Sequence, residues 1–121
     1  MKNLDQIRAA AALEPAKTLK RAAVSKLPGL ILNNGLLSAA AFCEAEGGGD
    51  NKEHLKNAMI ATAKHLAARD IIASGTKDIT SLIRDLSNKD SLSLQLATTE
   101  ALGFLSYLKR FAVKESNEDN A

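Results

Sequence analysis

Aromatic residues make up only 3% of this 121-residue chain, and it has no tryptophan, two prolines and one cysteine. Each shortage excludes something. With so few rings, alanine and leucine carry most of the apolar mass, and both favour helix over strand. One thiol, Cys43, cannot form an internal disulfide, and nothing in the cysteine count suggests secretion. No apolar run reaches the roughly 20 residues that span a bilayer. Met1, Lys2 and Asn3 lead straight into an amphipathic pattern without a signal peptide. The sequence therefore reads as a soluble cytoplasmic protein. Its length suits a single domain able to bury a core without disulfides or metals.

Helical periodicity organises what is present. Five segments are expected, in a compact all-α bundle occupying residues 1–114. The first starts near Asn3 or Leu4 and runs to about Lys26, with Pro15 kinking or restarting it. The second begins at Leu27, with Pro28 in its first turn. It is apolar on nearly every face, yet it holds Asn33, Asn34 and Gly35 at its middle. In one continuous buried helix, Gly35 would mark a close helix crossing. At least one asparagine would then be buried with its amide bonded, because an unpaired buried amide costs about 1–3 kcal/mol. These three residues are the expected structural or interface positions. Gly47 to Gly49 mark a turn. A third helix follows from Asp50 or Asn51 to about Ala73, with Leu55, Met59, Ala63 and Leu66 on its apolar face. The fourth starts near Asp78. The fifth runs from Asp90 to about Lys114, with Phe104 and Phe111 widening its apolar face. Residues 115–121 form an acidic tail of disordered composition.

Catalytic groups are scarce. His54 and His65 share one helix, about 16 Å apart along its axis, too far for one metal ion to bridge. Cys43 reads as a small buried hydrophobe. No GxxxxGK[ST] phosphate loop occurs, and Asp85 and Asp90 suit capping and solvation. No metal or cofactor is expected, and no enzymatic activity. The bases are more informative although net charge is only +2. Lys17, Lys20 and Arg21 stand at i, i+3 and i+4, which on one helix places all three on a single face. Lys109 and Arg110, with Lys114, crowd the end of the fifth helix, while Lys64, His65 and Arg69 add to the third. Such bases either solvate outer faces or bind phosphates without sequence specificity. Phe42, Phe104 and Phe111 are expected on apolar faces, leaving only Tyr107 to stack on bases.

Three blocks carry a family resemblance: "MKNLDQIRAAAAL" at the start, "KLPGLILNNGLLSAAAF" in the first half and "LATTEALGFLSYLKRFAVKE" near the end. Together, in this order, they resemble the small all-helical subunit of the type III-B CRISPR effector, the Cmr complex. The resemblance implies a non-catalytic protein of antiviral defence whose copies stack into a minor filament beside the backbone subunits. It also implies contact with the large polymerase-like subunit and with guide and target RNA. Lys109 and Arg110 match the basic pair of the terminal block, and Arg8, beside Gln6, lies in the N-terminal one. Asn33, Asn34 and Gly35 match the central motif. Lys17, Lys20, Arg21, Lys64 and Arg69 join the expected RNA-binding set on helical spacing alone. The alternative is a purely structural subunit that mediates assembly without significant RNA contact.

Overall fold

The fold is taken from a computed structural model that describes residues 2–45 and 51–114. Seven helices follow one another: α1 (Leu4–Ala16), α2 (Arg21–Val24), α3 (Lys26–Asn34), α4 (Leu36–Glu44), α5 (Lys52–Ala68), α6 (Ile79–Ser87) and α7 (Ser91–Phe111). Among the described residues no strand forms, and the bundle is all-α. The extra helices come from two breaks: a restart after Pro15, one of the two outcomes expected of that proline, and a corner in the second segment, which is expected to be continuous.

The first break follows Pro15. The ring removes one backbone donor, and α1 ends one residue later at Ala16. Residues 17–20 turn the chain before α2 begins. Lys17 therefore does not share a helix with Lys20 and Arg21, and the i, i+3, i+4 face does not exist.

The second break is Gly35, at φ 89° and ψ 161° between α3 and α4. That conformation is essentially open only to glycine. A Cβ placed there would meet nothing within 4 Å, so no close crossing explains the residue. Asn33 and Asn34 are both exposed. The expectation of a buried asparagine amide fails because the chain turns out of the core at this corner.

Helix ends are built from local chemistry. Asn3 and Asp78 each form a capping box, with Gln6 and Ser81, and Asp90 accepts from the Ser93 N–H at 2.8 Å. α5 stops at Ala68, short of the expected Ala73. Asp70 adopts φ 60°, and the Ile71 N–H bonds to the Leu66 carbonyl at 3.0 Å, a glycine-free Schellman closure. The expected turn at 47–49 and the acidic tail lie outside the described residues.

The core is aliphatic, with Leu19, Leu27, Ile31, Leu36, Met59, Leu66, Leu82 and Leu105 fully buried around Phe104. Cys43 is buried among them, and burial pushes its thiol up to about 11. Phe42 departs from expectation. It is 51% exposed, with the Lys52 ammonium 5.4 Å from its ring centre.

Candidate nucleic-acid interface

The end of α7 is where the basic residues gather. Lys109 and Arg110 occupy its last turn and are exposed. The chain then runs beside the 17–20 turn as an isolated parallel bridge between Lys20 and Val113. The Val113 N–H donates to the Leu19 carbonyl at 2.8 Å, and the Arg21 N–H donates to the Val113 carbonyl at 2.9 Å. Arg21 extends its guanidinium onto the carbonyls of Arg110 and Ala112, capping the helix with positive charge. From α5, His54 accepts the Lys20 N–H on Nδ1 at 3.3 Å. Lys20, Arg21, Lys109 and Arg110, distant in sequence, thus sit at one end of the bundle, with exposed Lys114 two residues past Ala112.

The other expected cations divide. Lys17 and Lys64 are exposed, Lys17 in an exposed pair with Glu14 at 2.8 Å. Lys64 lies on a groove of about 480 Å³ between α1 and α5, with Pro15, Thr18, Asn57 and Ile60 among its walls. Arg69 sits at the far end of α5, about 22 Å along the axis from His54. It is half-buried, and its Nε has no hydrogen-bond partner among the described residues.

Arg8 is directed inward. It grips Glu100 bidentately through one edge of its guanidinium, donating from Nε to Oε2 at 2.9 Å and from Nη2 to Oε1 at 3.0 Å. The expectation that Arg8 offers its head to RNA is corrected here, because only 16% of its side chain is accessible. Glu100 also meets His65 Nε2 at 2.8 Å, and the imidazole stacks on Phe104 with ring centres 4.6 Å apart. Burial raises the Glu100 carboxyl, but hydrogen bonds and charge from Arg8 and His65 outweigh it and hold the group below its ordinary value. Burial also lowers His65, against the opposing pull of Glu100. The imidazole is therefore neutral at pH 7 and donates from Nε2 to the carboxylate. His65 adds no charge to the surface, contrary to the sequence reading.

Sequence reasoning missed Glu100, although a signal existed: it falls in register with Ala97, Ala101 and Phe104 on the buried face of α7. It also missed Gly103. A Cβ at that position would lie 2.6 Å from Arg8 Nε and 2.7 Å from Nη1, so the glycine makes the gap through which Arg8 reaches Glu100.

The network has the ingredients of acid–base chemistry but not the access. The His65 and Glu100 side chains are only 2% and 5% exposed, and both Glu100 oxygens are engaged, by Arg8 and by His65 Nε2, although His65 also forms part of the wall of the groove between α1 and α5. Among the described residues no group of His, Cys, Asp or Glu could hold a metal ion.

No curated protein and no solved structure matches the chain. A family model does, over residues 4–115: CRISPR-associated protein (Cas_Cmr5). The match spans all seven helices, including the Gly35 corner and the basic end of α7, and the all-α bundle agrees with it. The chain therefore belongs to the Cas_Cmr5 family and is a small subunit of the CRISPR type III-B Cmr complex.

Proposed function

We propose that this subunit is non-catalytic, forms the minor filament of the effector, and holds the guide and target RNA backbone through the basic end of its bundle. Lys20, Arg21, Lys109 and Arg110 carry the contact, with Lys17 and Lys64 alongside. Further copies of itself, the backbone subunit and the large polymerase-like subunit are its protein partners. The observation behind this reading is the convergence of α2 on the last turn of α7, which concentrates cations drawn from both ends of the chain. Such a surface neutralises phosphates without reading bases, which suffices where guide–target pairing supplies the specificity. The buried, mutually satisfied Arg8–Glu100–His65 network supports a non-catalytic role. No described helix is long and apolar enough to cross a membrane, in keeping with work in the cytoplasm.

One observation favours the alternative of a purely structural subunit. Arg8 and Arg21 each bond within the protein, so fewer cations face solvent than the sequence suggests. Charge reversal separates the two readings. Complexes carrying Lys20→Glu, Arg21→Glu, Lys109→Glu and Arg110→Glu together should assemble normally and retain target RNA less well. Unchanged retention would leave the structural role alone standing.

A further inference from the structure

Phe111 is expected on an apolar face, yet it closes α7 with 39% of its surface exposed. One turn back lies Tyr107, half-buried, the only tyrosine of a chain without tryptophan. The two rings stand 6.1 Å apart between centres, tilted by 41°. Tyr107, Arg110 and Phe111 fall at i, i+3 and i+4 within one continuous helix, so they share one face. Electrostatics give the same grouping. Partial burial and the Asp5 carboxylate raise the Tyr107 hydroxyl above its ordinary value, while Arg110 and Arg8 pull it back. Two further cations sit at this helix end. The Arg21 guanidinium bonds to the Arg110 carbonyl, and Lys109 is exposed in the same turn. A single exposed phenylalanine needs no explanation. One that shares a helix face with an exposed arginine and a second ring has the make-up of a site for an aromatic anion.

We propose that Phe111, backed by Tyr107, is a stacking platform for one unpaired base of single-stranded RNA, whose adjacent phosphate is neutralised by Arg110. The proposal rests on the RNA reading of the basic end and deepens it, because it names the form of strand bound there. Stacking on a phenylalanine ring is indifferent to base identity, since every base has a π-face. It therefore adds no sequence preference to a surface that reads none. It is not indifferent to pairing. In a duplex the base faces are covered by the neighbouring pairs, and only an unpaired nucleotide can turn one onto a side chain. The cation fixes the occupant. An apolar protein surface laid on the rings would bury Arg110 with no counter-charge, which is costly. A nucleotide supplies both halves at once, a flat base for the ring and an anion for the guanidinium. Arg21 and Lys109 extend the positive charge along which the backbone continues. The Asp5 carboxylate sits by the Tyr107 hydroxyl, so the phosphate belongs at the Phe111 end of the face.

The test titrates the full chain at low salt with labelled single-stranded oligouridylate and with duplex RNA of the same length, read by anisotropy. Phe111→Ala should weaken single-strand binding about fivefold or more and leave duplex binding unchanged. Its salt slope should match the wild type, because no charge is lost, whereas Lys109→Glu/Arg110→Glu should flatten the slope. Phe111→Leu keeps apolar bulk without a π-face and should lose binding as alanine does, so a packing role does not imitate a stacking one. Phe111→Trp should restore binding, and its emission, from the chain's sole tryptophan, should be quenched by the single strand alone. Binding left unchanged by Phe111→Ala, an equal loss on both RNA forms, or wild-type binding by Phe111→Leu overturns the proposal. Unchanged RNA binding with lost incorporation into the complex marks the ring as a protein contact and also overturns it. Failure of the RNA reading looks different: the wild type then binds neither RNA, and both readings fall together.

Discussion

Gly35 stands where φ is 89° and ψ 161°, and the space around it is empty. Its role is conformational, and a Cβ there is resisted by the backbone rather than by a neighbour. Gly35→Ala should cost about 1–3 kcal/mol, read as a lower urea midpoint. Gly29 is the matched control: it is helical, exposed and equally uncrowded. Gly29→Ala should raise the midpoint, since alanine gains up to about 1 kcal/mol of helix propensity. The apolar run around Gly35 is legible as helix from its composition, but hydrophobic periodicity cannot tell one buried helix from two that meet at a corner. The break is written in Asn33-Asn34-Gly35 itself, a local turn signal that apolar neighbours on both sides outweigh. Cys43 was legible in full, because a small apolar side chain within an apolar run has only the core to enter. With its thiol pushed up to about 11, it should resist thiol reagents at pH 8 in the native protein and react promptly in denaturant.

Helices α1, α5 and α7 are tied together by Arg8, His65 and Glu100, contacts that span 92 and 35 residues of sequence. The capping residues Asn3, Asp78 and Asp90 could be read in advance because a cap and the backbone N–H that donates to it lie within one turn. The buried triad could not, since nothing local says which arginine meets Glu100. Gly103 tests the geometry. Gly103→Ala should lower Tm although alanine normally favours a helix interior, because the new methyl meets the guanidinium clamped on Glu100. In an Arg8→Ala background the same substitution should become neutral or stabilising, a coupling that a double-mutant cycle measures directly. The triad also sets a pH dependence. His65 is held below its ordinary 6.5 in the folded state, so the unfolded chain binds its proton first as pH falls. Stability is therefore lost on acidification below about 6.5. Glu100, held below its ordinary 4.5, adds a loss of the same sign at lower pH. Urea midpoints should fall between pH 7.5 and 5.5, and His65→Gln should flatten that fall.

Across the whole molecule, four cations gather at one end of the bundle, while Arg8, Glu100 and His65 form an ionic network inside it. The all-α class and the family were open to sequence reading, since both follow from composition and from ordered local motifs. The grouping of the cations was not. Lys20 and Lys109 come together only because Val113 pairs beside the 17–20 turn, while Arg8, in the same N-terminal block as the capping Asn3, turns inward. The central claim is that the basic end holds RNA by its charge, so its most direct measurement is the salt dependence of target-RNA binding by the complete complex. Each phosphate contact contributes a slope of about 0.7–0.9 in log K against log salt. Reversing Lys109 and Arg110 should weaken binding and flatten the slope by at least one such contact for every copy that touches the RNA. An identical slope and affinity in wild-type and reversed complexes would contradict the account.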